Sequence, residues 1–431
     1  MLRVIKKLLI GNGNNIMRKS AIWNIVESVE YSLQSAILLL IVTRTGGLYD
    51  AGVFTIEYTF TQMIATIGSY GMRSFQVSDI RSEYKFGTYL YSRILSVSAM
   101  IFVCLGYVWI QGYDRNKIFL TLLLCIYRIV DDIEDVFHGE IQKNMRLDIA
   151  SKIVAIRIFL ATVMFAIIYT FTGNLIYASI GLATTAVVIS FVFNMAVIGE
   201  FQDITFKLCG DKVIGLLWTC FPICISGFLY NYLANSPKYA IDRNLSEEVQ
   251  TLFSILFMPI FVINILSGFV FKPMIASMGI TWTKRKYKEF KKMVIKQLLL
   301  IIAMTLAIML AGAVCGVEVL GWLYGVELTQ YRMLFVTLLV FGGFAAIVAF
   351  LVVVLTIVRR QKFIVVAYLI AAVMNLLISN SIVLRYEIWG AGIVYGITMG
   401  SIVIILLLTY IVTLRKECKG DKDEVANEVI S

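Results

Sequence analysis

The sequence is short of charge, of proline and of histidine. Only 15% of its 431 residues are charged, four are proline and one is histidine, while 59% are hydrophobic. A soluble domain sits nearer one-quarter charged and half apolar, so a water-soluble enzyme is excluded and the apolar surplus must face lipid. The alternating hydrophobicity that builds membrane barrels is missing, which leaves helices as the way to satisfy the backbone in a bilayer. Catalytic signatures are missing too: there is no nucleophile elbow, no Walker loop and no polar segment long enough for a nucleotide-binding domain. Gly11, Asn12 and Gly13 and the glycines near 342 lack the context of phosphate loops and read as loop or packing glycines. With His138 the single histidine, the seven scattered cysteines (104, 125, 209, 220, 224, 315 and 418) make neither a metal-ligand set nor a disulfide framework and read as small hydrophobes. No metal and no cofactor is expected.

What is present is a series of apolar runs. A bilayer core about 30 Å thick takes roughly 20 residues of helix per crossing. Twelve runs of about that length lie near 20–43, 51–70, 89–112, 116–140, 153–171, 174–199, 213–236, 249–271, 294–314, 331–358, 363–384 and 389–413. The expected fold is therefore an all-α polytopic membrane protein of about twelve transmembrane helices.

With the N-terminus in the cytoplasm, 30 of the 38 lysines and arginines fall on the cytoplasmic side. Seven fall outside (Arg44, Arg115, Lys117, Lys238, Arg243, Arg332 and Arg385), and Arg128 falls within a span. That asymmetry places both termini of a multi-pass membrane protein in the cytoplasm. The formal net charge of +10 is then a topology signature, and nucleic acid is not an expected partner. Residues 1–19 carry too short an apolar patch for a signal peptide and read as a basic segment on the membrane surface, with Lys6 and Lys7 toward anionic headgroups.

Six spans precede the polar connection 200–212 and six follow, giving an N-terminal lobe over 20–199, a C-terminal lobe over 213–413 and a cytoplasmic tail over 414–431. Each half repeats one rhythm, with a long basic segment after its second span (71–89 and 272–292) and a shorter one after its fourth (142–146 and 359–362). An even number of spans per half implies a parallel repeat about an axis along the membrane normal, as in transporters that alternate access by rocking two lobes. A charge rhythm without duplication is the alternative. The four prolines, Pro222, Pro237, Pro259 and Pro273, all lie in or beside the seventh and eighth spans. Pro222 and Pro259 are hinge candidates, whereas Pro237 and Pro273 fit helix ends.

Polar groups inside spans mark the candidate site. In the first span Ser20, Asn24, Glu27, Ser28, Glu30, Tyr31, Gln34 and Ser35 share one side, opposite Ile22, Ile25, Val29 and Leu33. A charge facing lipid at that depth costs several kcal/mol, so the stripe must meet water or protein. Glu27 and Glu30 are candidates for coupling to a proton or cation, or they hydrate a cavity wall. In the fourth span Arg128, Asp131, Asp132 and Asp135 form a second stripe, about 20 Å along the helix from Arg115 at the position of Arg128. Arg128 can pair with Asp131 or Asp132, both further coupling candidates, in a structural ion pair, or it can present its fork to a substrate phosphate. His138, near the end of that span, reads as a helix-end residue.

The block Tyr230-Asn-Tyr-Leu-Ala-Asn-Ser-Pro-Lys-Tyr-Ala-Ile-Asp242, followed by Glu248-Val-Gln250 and Phe257-Met-Pro-Ile-Phe261, resembles the polysaccharide transport proteins that flip lipid-linked O-antigen or capsule repeat units. So do Arg73-Ser-Phe-Gln-Val-Ser-Asp79, Tyr91-Ser-Arg-Ile94 and the segment 135–148. These proteins share a superfamily with multidrug (MATE) exporters and the lipid II flippase. The resemblance implies a two-lobed, MATE-like flippase of a bacterial inner (cytoplasmic) cell membrane whose substrate is an undecaprenyl-pyrophosphate-linked oligosaccharide, with membrane lipid and polysaccharide assembly proteins as further partners. It points to Lys238 as a contact for the pyrophosphate, with Asn231 from the same block and Arg243 nearby; Arg128 joins them on helix depth alone. Two other readings compete: a MATE-type cation antiporter, and a membrane polysaccharide polymerase or acyltransferase, which the short outer connections and the lack of a suitable histidine disfavour.

Overall fold

The computed structural model describes residues 6–7, 9–10, 15–79, 83–201 and 210–430, with side chains described to residue 417 except at 210 and 211. Gly11, Asn12, Gly13, Arg81, Cys209 and all but the ends of the 200–212 connection lie outside the described residues. Secondary structure among the described residues is helical, without strands. The chain divides into two compact units, Met1–Phe228 and Leu229–Ser431. The division falls inside a helix.

In the first unit α1 (Ile16–Ser69) breaks at Gly47, whose φ of 83° is open to glycine and costly for other residues. The chain then reverses at Tyr70 and Gly71 into the short α2 (Met72–Ser78), the basic segment expected between the second and third spans. Helices α3 (Phe86–Gln111), α4 (Arg115–Lys143), α5 (Leu147–Thr172) and α6 (Leu175–Ile198) follow. Side-chain caps start two of them: Asp114 accepts from the Asn116 amide at 3.1 Å, and Asn174 from the Ile176 amide at 2.9 Å. Helix α7 (Gly210–Asn244) contains the unit boundary.

The second unit continues with α8 (Glu247–Phe257), α9 (Pro259–Phe271), a 3-10 turn at Lys272–Met274 and α10 (Ile275–Thr283). It ends with α11 (Tyr287–Tyr324), α12 (Arg332–Ile357) and α13 (Gln361–Ile430), the last broken at Glu387. Among the described residues nine helical stretches are long and apolar enough to cross a membrane. Separating the two halves at Gly47 and at Glu387, and adding the charge-bearing α4, recovers the order of the predicted passages. Large apolar side chains on the outside, among them Trp109, Phe171, Trp218 and Trp322, give these helices a surface suited to lipid. The protein is a multi-pass membrane protein.

Two expectations are corrected here. The described part of the N-terminal segment, expected on the membrane surface, packs on protein: Leu9 is buried against Ile141, Ile149, Ile153 and Val197, Lys6 pairs with Glu200, and Arg146 donates to the Ile10 carbonyl at 2.8 Å. Leu9 and Ile10 thereby turn their apolar side chains to α4, α5 and α6 instead of to lipid. Pro237 does not end a helix, because α7 runs through it to Asn244. Proline at 237 cannot donate to the Leu233 carbonyl, and the Ser236 hydroxyl fills that place at 3.0 Å. Pro222 also lies inside α7, while Pro259 opens α9 after a lapse in the helix at Met258 and Pro273 sits in the 3-10 turn.

Candidate functional site

The first unit holds a cavity of about 430 Å³ that Glu27, Ser28, Tyr31 and Ser32 of α1 line on one side and Asp131, Asp132, Glu134, Asp135 and His138 of α4 on the other. Arg73, beside the reversal, and Arg157 of α5 complete its charged wall. The two polar stripes legible in the sequence thus face one another, because a helix that carries carboxylates through lipid must turn them toward a shared interior.

Those carboxylates are met in a definite order. Asp131 receives Arg128 at 3.0 Å and Arg157 at 2.5 Å. Glu134 receives Arg157 at 2.8 Å and the Asn194 amide at 3.0 Å. Asp135 receives Arg93 at 2.7 Å and Arg73 at 3.2 Å. Asp132, 4% exposed, is left over: its Oδ2 has no hydrogen-bond partner and stands so close to Gly68 that a Cβ there would lie 1.9 Å from it. Glu27 also has an oxygen without a partner.

Arg128 chooses Asp131 over Asp132 and lies behind the cavity wall rather than on it. Its guanidinium sits 4.5 Å from the Tyr58 ring centroid and 5.4 Å from that of Tyr127, stacked contacts that favour a desolvated arginine. The Tyr58 and Tyr127 hydroxyls in turn both reach Gln34, at 3.2 and 3.0 Å. Glu30 is half-buried, one turn from Glu27 and outside the cavity lining.

Lys238 and Asn231 lie on α7 in the second unit. Lys238 is buried, its ammonium 5.5 Å from the Phe257 ring, and Asn231 is half-buried. Arg243 is exposed in the last turn of the helix. The described interior of this unit is otherwise held by neutral groups: Asn375 donates to Ser236 at 2.9 Å and to Thr398 at 2.8 Å, and Gln250 is fully buried on α8.

Sequence reasoning missed several members of the site. Arg93 and Arg157, assigned to cytoplasmic ends by the charge count, are 0% and 1% exposed and hold the cluster together. The available signal for Arg157 was its place four residues inside the run 153–171. Glu134 was passed over beside three aspartates, and Glu57, fully buried and accepting from Thr121 at 2.6 Å, lies in a run that otherwise reads as apolar. His138, just over a turn before the end of α4, is 1% exposed, 3.8 Å from Glu134, and forms part of the cavity wall. The five described cysteines are free, and Cys418 lies beyond the described side chains.

The helices adopt the fold of the MOP-superfamily transporters. The chain is similar to a multidrug resistance MATE family transporter in an outward-facing conformation (TM-score 0.59, 14% identity, 96% of this chain and 98% of that one). It is similar to an inward-facing one to the same degree (TM-score 0.60, 13% identity, 91% and 96%). A MOP superfamily transporter from Pyrococcus furiosus, described by the reversed polarity of its binding pocket, matches with a TM-score of 0.58 at 13% identity over 96% of this chain and 98% of that one. In sequence, the chain is similar to the capsular polysaccharide biosynthesis protein CapF of Staphylococcus aureus, 22% identical over 331 residues that cover 75% of this chain and 81% of the relative. No protein-family model matches the chain. Fold and sequence likeness together support the resemblance to a MOP-type polysaccharide flippase.

Proposed function

We propose that this protein flips undecaprenyl-pyrophosphate-linked oligosaccharide repeat units across the cytoplasmic membrane of a bacterium by alternating access. The observation that carries the reading is the cavity of the first unit, which offers guanidiniums for phosphate and hydroxyl and carboxylate groups for sugars within a transporter fold. The likeness to a capsular polysaccharide biosynthesis protein supplies the substrate class. Asp132, the carboxylate left without a partner, takes the coupling proton or cation, since an unpaired buried charge costs too much to persist empty. Both termini face the cytoplasm. Cells lacking the protein should lose surface polysaccharide and accumulate lipid-linked repeat units; unchanged polysaccharide with raised sensitivity to cationic drugs would favour a multidrug exporter instead.

Topology gives a second check. A cysteine placed at Lys286 should react only from the cytoplasm and one at Leu245 only from outside. Labelling of both from one side would break the twelve-passage arrangement.

Pro222 and Pro259 serve as hinges in this scheme. Pro259→Ala should fuse α8 and α9 into one helix, because alanine restores the missing donor and favours helix, and should slow transport while leaving folded yield near normal. Pro222→Ala should do the same to a smaller extent, because α7 is already continuous there. Unchanged flux in both variants would remove the hinge role.

A further inference from the structure

The four guanidiniums around the cavity differ in what each must give up to meet a ligand. Arg128 is 1% exposed, packed on two tyrosine rings and paired with Asp131. Arg157 is shared by Asp131 and Glu134, so moving it weakens a partly buried and a fully buried carboxylate at once. Arg93 is fully buried and ties Asp135 to the Gly68 carbonyl at 2.8 Å. Arg73 is the exception. Its side chain is 28% exposed, and it reaches Asp135 Oδ1 at 3.2 Å while Arg93 keeps the other oxygen at 2.7 Å. If Arg73 turns away, Asp135 still has a buried arginine, and Arg73 otherwise gives up two hydrogen bonds to the neutral Gln142 amide, at 3.1 and 3.2 Å.

Position adds a second, independent observation. Ser69, Arg73 and Asp135 line the polar cavity and also a separate open groove of about 640 Å³. The rest of the groove wall, Gly71, Ser74, Val77, Ser78 and Gln142, carries no charge, and the groove as a whole exposes more carbon than polar surface. Arg73 therefore stands where a charged chamber meets a groove whose remaining wall is uncharged.

We propose that Arg73 is the cation that receives the phosphate of an amphiphilic ligand, whose polar part enters the chamber and whose hydrocarbon chain lies along the groove. The proposal rests on the flippase reading and assigns to Arg73 the phosphate contact that helix depth alone had suggested for Arg128. A guanidinium presents two parallel N–H donors to a phosphate, and the incoming oxyanion replaces one shared carboxylate oxygen and one amide oxygen. Asp135 and Gln142 hold Arg73 in place until the ligand competes for it.

The test uses the full chain purified in detergent, with farnesyl pyrophosphate and inorganic pyrophosphate as probes in equilibrium binding. Farnesyl pyrophosphate should bind more tightly than inorganic pyrophosphate, and Arg73→Gln should weaken both by roughly tenfold or more, as expected for losing charge-assisted hydrogen bonds. Arg73→Lys should retain part of the affinity. Gln142→Ala should strengthen binding, because it releases Arg73 from hydrogen bonds that the ligand must otherwise break. Unchanged affinity in Arg73→Gln overturns the proposal; if that variant does not fold, Gln142→Ala decides, with tighter binding in support and weaker or equal binding against. Equal affinity for the two probes would mean a site for free pyrophosphate and would remove the groove. Arg73-dependent binding in a protein whose deletion spares surface polysaccharide would leave the anion site standing and dismiss the flippase reading. Loss of polysaccharide on deletion with Arg73-independent binding would dismiss only this assignment.

Discussion

Arg157→Ala should remove most of the folded protein from the membrane. Its guanidinium meets Asp131 at 2.5 Å and Glu134 at 2.8 Å, and all three side chains are largely withdrawn from solvent. Removing one partner of a buried ion pair costs about 3–5 kcal/mol, because the remaining charge is left without compensation. That is a large share of the roughly 5–15 kcal/mol by which a folded protein is stable. Glu134 would keep no arginine, retaining the Asn194 amide and His138 at 3.8 Å, whereas Asp131 would keep Arg128. Two comparisons follow from this pairing. Arg157→Ala with Glu134→Gln should regain part of the lost abundance, and Arg128→Ala should be milder than Arg157→Ala because Asp131 keeps Arg157. Membrane abundance and the thermal midpoint of the purified variants check both. An Arg157→Ala protein as abundant and as heat-resistant as wild type would show that the cluster does not hold the first unit together.

Asp132→Asn should produce the largest functional change for the smallest structural one. The substitution preserves shape beside Gly68, and it removes a carboxylate that has no hydrogen-bond partner at Oδ2, so folded yield should be equal to wild type or higher. Coupling should vanish. Coupling free energies between two ligands of one protein run to about 1–3 kcal/mol, which corresponds to a roughly 5–150-fold dependence of one on the other. In reconstituted vesicles, wild-type flux should respond within that range to an imposed proton or sodium gradient, and Asp132→Asn flux should be the same with and without it. A gradient response preserved in Asp132→Asn would place the coupling group elsewhere, with Glu27 the next to examine.

The helices were legible because lipid imposes a simple rule: each passage needs an apolar run of fixed length, and the runs mark the described helices to within a turn or two in most cases. The exceptions have local causes. Helix α7 outruns its apolar run to Asn244 because Ser236 satisfies the carbonyl that Pro237 leaves open. The two acidic stripes were visible as spacing on single helices, and their meeting across a cavity follows from the cost of exposing charge to lipid. The arginines that answer them were harder to place. Arg93 and Arg157 sit near the starts of the apolar runs 89–112 and 153–171, where a basic residue looks like a topology signal; only the carboxylates packed opposite reveal that they point inward. Arg128 drew attention by its depth alone, and it lies 1% exposed behind the cavity wall. The docking of Leu9 was invisible for a similar reason, since an amphipathic basic segment carries the same pattern whether its apolar side meets lipid or protein.

The central claim is transport of a lipid-linked oligosaccharide, and translocation in a purified system tests it most directly. Liposomes containing the protein and a fluorescent undecaprenyl-pyrophosphate-linked oligosaccharide would be probed with a membrane-impermeant quencher of the sugar label. The protein should move labelled lipid between leaflets faster than in empty liposomes, and Asp132→Asn should lose the gradient dependence of that movement. Translocation no faster than in empty liposomes, by protein that exports a cationic dye from the same vesicles, would contradict the account.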